Sequence, residues 1–308
     1  MTYQLPPVIA LVGTTASGKS DLGIQLALRL DGEIVSADSR QVYRGLDLGA
    51  GKVTPAERAL VPHHLLDVAD VRRRLTVAQY QRLAFGAIEE IRARGRVPLL
   101  VGGTGLYVRA VVDNPAFPAV PPDPGLRAEL EARPLADLVA ELARLDPEAA
   151  RQLDVRNPRR VVRALEVTLA TGIPFSRQLK RGRPRVRVLQ LGLTWPRAEL
   201  RRRIEARVEA RLATRPSMLD ETRGLLEAGV PAERLLELGL EYRFLTRYLL
   251  GELSYDAMVA ALKLAIHQFA KRQLTWFRRD PRIHWLDPLG DPLAEAECLV
   301  RDWGLGTG

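Results

Sequence analysis

Cysteine is nearly absent. The 308 residues contain one, Cys298, so no intrachain disulfide can form and a reducing compartment fits. Cys298 itself reads as a small, half-buried side chain near the terminus. Long apolar runs are missing too: no stretch approaches the ~20 apolar residues needed to span a bilayer. The opening Met-Thr-Tyr-Gln-Leu-Pro-Pro lacks the charged-then-apolar pattern of a secretory leader. These absences predict a cytoplasmic protein with no membrane attachment. Internal repeats and low-complexity tails are also lacking. Acidic residues are outnumbered, 37 against 46 Lys and Arg, and the formal net charge of +9 favours a polyanionic partner.

The basic residues are clustered. Residues 177–187 (RQLKRGRPRVR) hold six cations and no acid, and residues 197–215 hold seven arginines against three glutamates. Arg203, Arg207, Arg211 and Arg215 recur every fourth residue, which on a helix makes one stripe. Lys271, Arg272, Arg278 and Arg279 are interleaved with Trp276 and Phe277. Any one cluster could be a solvated helix face; three, one with aromatics, point towards nucleic acid.

Residues 7–12 (PVIALV) are a continuous apolar run, suited to a strand buried on both faces. Further strands are expected over 33–36, 97–101 and 186–193, with helices over about 21–30, 76–94 and 254–277. Such alternation predicts an α/β core with a parallel sheet. Five prolines within 114–124 mark a linker, and residues 125–185 read as short helices, with Asp146 and Asn157 as helix starts before proline. The expected organisation is a P-loop NTPase-like α/β core over 1–114 and 186–308 with long C-terminal helices, and an all-helical insertion over 115–185.

Gly13-Thr14-Thr15-Ala16-Ser17-Gly18-Lys19-Ser20 matches G-x-x-x-x-G-K-[ST] without a mismatch, between a strand and a helix. Its backbone N–H groups and helix N-terminus suit phosphate, Lys19 suits the outer phosphates, and the Ser20 hydroxyl suits Mg²⁺. The strand over 97–101 ends in Gly102-Gly103-Thr104-Gly105, where a hydrolytic enzyme of this kind usually has an acid. The second strand instead leads to Asp38, at the carboxyl edge of the sheet, where a carboxylate could accept a nucleophile's proton. The alternative role for Asp38 is a helix or turn cap. Asp67 is a rival acid, and the His63-His64 pair before it reads as local packing.

These residues resemble the tRNA dimethylallyltransferase (tRNA isopentenyltransferase) family. The likeness covers Gly13–Ser20, Ser36–Gly49, Val61–Asp67, Leu100–Tyr107, Asn157–Glu166 and Ala270–Arg278, in order along nearly the whole chain. It implies transfer of a dimethylallyl group from dimethylallyl diphosphate to the exocyclic amine of the adenosine 3′ to the tRNA anticodon, by a monomeric enzyme that uses Mg²⁺. The phosphate loop, Gly13 to Ser20, would then grip the diphosphate, with Asp38 as base. Lys19, Ser20 and Arg207 would stabilise the leaving group, and Thr104 would stand where donor and adenine meet. The resemblance places Asp38, Ser39, Arg40, Gln41, Thr104, Arg127, Arg159, Arg160, Val161, Val162, Arg163, Arg243, Lys271 and Arg272 against the tRNA anticodon stem-loop. Departures from the usual family pattern are Thr14, Gly51, Arg159, Glu241 (where glycine is usual) and His267, and a slightly short insertion. A small-molecule kinase with ATP on the same loop would explain residues 13–38 equally well but leaves the basic clusters idle. An enzyme prenylating free adenine nucleotides, or an RNA-binding protein with a vestigial loop, explains less.

Overall fold

The computed structural model describes residues 5–118, 120–121, 123–178 and 182–305, so part of the 177–187 basic cluster lies outside the described residues. Among the described residues, six strands form one all-parallel sheet: β1 (Pro7–Gly13), β2 (Gly32–Ser36), β3 (His63–His64), β4 (Val97–Gly102), β5 (Arg187–Leu193) and β6 (Ile283–Leu286). Their order is β3-β2-β4-β1-β5-β6, which puts β1 inside the sheet. Val8 to Val12 are wholly buried because β1 is covered on both faces. Val8, Ala10 and Val12 join Val35, Leu100, Tyr80, Ile88 and Tyr107 on one face, whereas Ile9 and Leu11 join Leu22, Leu26, Leu99, Leu191, Ala296 and Val300 on the other.

The chain divides into two compact units, Met1–Val112 with Arg185–Gly308, and Asp113–Pro184. The first begins with α1 (Lys19–Arg29), α2 (Pro55–Leu60), α3 (Val77–Ala93) and α4 (Gly105–Val112). Thr76 starts α3 with a reciprocal capping box: its hydroxyl takes the Gln79 N–H while the Gln79 side chain takes its own. The second unit is helical: α5 (Pro124–Glu131), α6 (Leu135–Leu145), α7 (Pro147–Gln152), α8 (Pro158–Thr171) and α9 (Phe175–Gln178). Asp146 caps α7 through the Ala149 N–H, whereas Asn157 precedes α8 without a side-chain cap. The first unit resumes after β5 with α10 (Arg197–Ala213), α11 (Met218–Glu227), α12 (Ala232–Leu238), α13 (Leu240–Leu249), α14 (Tyr255–Phe277) and α15 (Pro292–Asp302).

β3 and β6 add to the strands that periodicity predicts, because two and four residues are too few for a periodic signal. The His63-His64 pair packs locally, as its sequence suggests: His64 Nε2 lies 2.6 Å from the buried Glu33 carboxylate. Cys298 is exposed on α15 rather than half-buried.

Candidate active site

The phosphate loop runs from β1 into α1, and Gly18 takes φ +88° at the turn, a conformation glycine adopts without strain. Lys19 Nζ bends back to the Thr14 carbonyl, 3.2 Å away. Four side chains from distant segments brace the loop. Trp195 Nε1 donates to the Ser17 carbonyl (2.9 Å), and Arg203 Nε donates to the Ala16 carbonyl (3.0 Å). Arg207 donates to the Thr15 hydroxyl, and Gln273 Oε1 accepts the Thr15 N–H at 2.8 Å. Gln273 Nε2 in turn donates to the Gly103 carbonyl, so α14 ties the loop to the turn after β4.

The arginine repeat therefore does something other than line a nucleic-acid face. Arg203 and Arg207 turn to the phosphate loop, and Arg211 lines the same cavities as Lys19 and Arg207. Arg215 falls beyond the last turn of α10 and hydrogen-bonds the Leu212 and Thr214 carbonyls. Periodicity alone could not reveal which side of the stripe the core would cover.

Asp38 lies just past β2, in a cavity shared with Thr15, Lys19, Arg207 and Arg211. Burial, then the neighbouring guanidiniums, pushes Lys19 down to about 8, with Asp38 pulling it back. Burial and Arg211 likewise push Arg207 down to about 10. Three enclosed cations, which the carboxylates beside them offset only in part, make a site that an anion would relieve. Asp38 Oδ1 accepts the Arg40 N–H (2.9 Å), a local turn bond. Thr104 Oγ1 accepts the Ser39 N–H at 3.0 Å, and the Thr104 N–H donates to the Ala37 carbonyl at 3.1 Å. The turn after β4 and the Asp38 turn thus form one rim.

The opposite wall is a strap, residues 47–51, whose support the sequence did not betray. Glu221 of α11 accepts the N–H groups of Asp47 (2.8 Å), Leu48 (2.7 Å) and Gly49 (3.1 Å). Buried Tyr242 of α13 donates to Glu221 (2.8 Å) and accepts the Ala50 N–H (3.1 Å). Four consecutive amides are therefore held by one carboxylate and one phenol. A Cβ on Gly49 would stand 2.7 Å from the Tyr242 ring, so only glycine lets the strap lie this close. Gln41 ties the strap to β2, accepting from Ser36 Oγ (2.9 Å) and donating to the Gly51 carbonyl (3.0 Å). Asp67 pairs with Lys52 and Arg58, which hold its carboxyl below the usual range against its burial, and so serves the strap's far end.

The candidate tRNA residues divide by accessibility. Lys271 and Arg272 are exposed, and with Trp276 and Arg279 they line an open groove along α14. Phe277 is 3% exposed and belongs to the core, which corrects its reading as part of that basic-aromatic surface. Arg40 donates to the Leu238 carbonyl and sits over the Phe269 ring; Arg243 is exposed and donates to the Leu236 carbonyl. One donor and one acceptor site of the Gln41 amide are engaged by the strap and Ser36. In the helical unit Arg159 and Arg160 are exposed, but Val161 and Val162 are buried in its core, because a helix turns every third or fourth side chain inward. Their side chains are excluded as RNA contacts. Arg127 and Arg163 both reach Oε2 of the buried Glu166, at 2.7 and 2.6 Å.

Comparison with known proteins follows the same lines. The family model for IPP transferase matches residues 41–280, and that for isopentenyl transferase matches residues 6–67. The tRNA dimethylallyltransferase of Roseiflexus sp. (strain RS-1) is 47% identical over 302 residues, covering 96% of this chain and 98% of its own. That of Streptomyces coelicolor is 49% identical over 285 residues, 91% of this chain and 90% of its own. Among solved structures, the full-length tRNA isopentenylpyrophosphate transferase of Bacillus halodurans superposes with a TM-score of 0.70 at 36% identity, over 97% of this chain and 96% of that one. A eukaryotic dimethylallyltransferase acting on tRNA gives 0.79 at 26% identity, over 97% and 78%.

Proposed function

The chain belongs to the tRNA dimethylallyltransferase family, and from that premise we propose that it prenylates the exocyclic amine of the adenosine 3′ to a tRNA anticodon. Dimethylallyl diphosphate is the donor and diphosphate the leaving group. The amine nitrogen attacks C1 of the dimethylallyl group, the C1–O bond breaks with its electron pair going to diphosphate, and the amine proton passes to Asp38. Lys19, Arg207 and the loop amides take up the charge that collects on the departing oxygen. Magnesium fits the donor chemistry. Ser20 offers a hydroxyl at the start of α1, and no three carboxylate, imidazole or thiolate groups gather among the described residues, so phosphate oxygens and water would fill most positions. Bound there, the ion would neutralise part of the diphosphate charge.

The observation that carries this reading is one cavity holding Asp38, Lys19 and Arg207, with Thr104 rather than an acid at the end of β4. A base and an anion grip suffice when no water needs activation. The target base would leave the anticodon-loop stack to reach Asp38; Lys271, Arg272 and Arg243 on the first unit, and Arg159 and Arg160 on the helical unit, would each engage tRNA phosphates. We take the enzyme to act as a monomer. The test is incubation with labelled dimethylallyl diphosphate, Mg²⁺ and unmodified tRNA. Label in tRNA at the adenosine next to the anticodon is expected. No label, with phosphate transfer from ATP to a small acceptor instead, would overturn the reading in favour of a kinase.

A further inference from the structure

Two carboxylates line the cavity of the phosphate loop, and the proposed chemistry uses only Asp38. The other is Glu241, in the first turn of α13, where the helix N-terminus favours a negative charge. It is 6% exposed, beside the buried Tyr242 that holds the strap. Among the described residues it makes no ion pair within 4.0 Å. Its charge nonetheless acts on Arg207 and Arg211, drawing both guanidiniums back against burial and their mutual repulsion. A carboxylate in such a place helps the cations while the pocket is empty and opposes any anion that enters.

We propose that Glu241 sets the affinity of the diphosphate pocket: it is a built-in counter-anion to Arg207 and Arg211 that loosens the grip on diphosphate and speeds its release. The inference rests on the diphosphate reading of the loop. Its physics is ordinary Coulomb repulsion. A unit charge several ångströms from a polyanion in a half-desolvated site is worth about tenfold or more in affinity. Asp38 repels the diphosphate too, but its proton-accepting role requires that charge. Glu241 has no such duty in the transfer.

The test compares wild type, Glu241→Gln and Glu241→Ala in calorimetric titrations with inorganic pyrophosphate and Mg²⁺, alongside prenyl transfer to tRNA. Glutamine keeps the volume and removes the charge; alanine removes both and guards against a packing effect of either. The pyrophosphate Kd is expected to fall about tenfold in both variants, with tRNA affinity unchanged. Steady-state turnover should drop relative to the single-turnover rate, because product leaves more slowly. Pyrophosphate binding that is unchanged or weaker in the folded variants overturns the proposal; weaker binding would instead give Glu241 a part in holding the metal. Failure of the wild type to prenylate tRNA would strike the functional reading, and the pyrophosphate comparison would still judge Glu241 by itself.

Discussion

Replacing Asp38 with asparagine separates its chemistry from its place in the fold. Asparagine retains an oxygen for the Arg40 N–H, now 2.9 Å from Asp38 Oδ1, so the turn over residues 38–41 persists. What disappears is the proton acceptor and one negative charge facing Lys19 and Arg207. A positioned general base contributes roughly 10²–10⁴ in rate, or about 2.7–5.4 kcal/mol at ~1.36 kcal/mol per tenfold. The lost charge works the other way on binding, since the pocket becomes more cationic. The expected signature is a split: kcat for prenyl transfer falls by about 10²–10⁴, whereas KM for dimethylallyl diphosphate stays level or drops. Rapid-quench single turnovers at about pH 7 with labelled donor and saturating tRNA measure the first, and donor titrations the second. A rate within about threefold of wild type would place the base elsewhere. A large rise in KM with kcat preserved would make Asp38 a binding residue and refute the reasoning.

Three other perturbations follow from particular contacts. Tyr242→Phe leaves the Ala50 N–H without its acceptor and Glu221 one donor short, which costs about 1–3 kcal/mol; donor KM should rise about tenfold with tRNA affinity unchanged, and an unaltered KM would dismiss the strap as a wall of the site. Glu166 sits buried between Arg127 and Arg163, which with the Asp123 N–H outweigh its burial and hold its carboxyl below the usual 4.5. Because the folded value is the depressed one, its stabilisation is present above about pH 4.5 and is lost as pH falls through the lower folded value, so acid should loosen the helical unit first. Glu166→Ala should cost about 3–5 kcal/mol in that unit through two stranded arginines, which denaturant melts followed by near-ultraviolet dichroism or proteolysis would register; a cost below 1 kcal/mol would contradict it. Arg159→Ala with Arg160→Ala should weaken tRNA binding and flatten its dependence on salt, and an unchanged salt slope would return both residues to ordinary solvated surface.

Sequence disclosed most where the chemistry is local. The phosphate loop is eight consecutive residues between a strand and a helix, and Asp38 stands at a strand end two residues past β2, so pattern and topology together locate both. The same pattern reading failed where orientation decides. The arginines at 203, 207 and 211 keep helical spacing, yet spacing says only that they share a face; that the face meets the phosphate loop depends on α10 following β5, the strand beside β1. Val161 and Val162 show the converse: the resemblance matches a contiguous run, residues 159–163, but α8 buries these two side chains. The contacts of Gln273, Glu221 and Tyr242 are not legible in the sequence, although Gln273 lies within the Ala270–Arg278 stretch, because their partners Thr15, Gly49 and Ala50 lie 258, 172 and 192 residues away along the chain. Each is a common polar residue on an unremarkable helix, and only the closed fold brings it to the site. Glu241 occupies the informative middle ground. Its identity stood out in the sequence as a carboxylate where glycine is usual, but its meaning required the cavity. A negative charge at a helix start is routine on a surface; beside Arg207 and Arg211 it becomes a term in how firmly diphosphate is held.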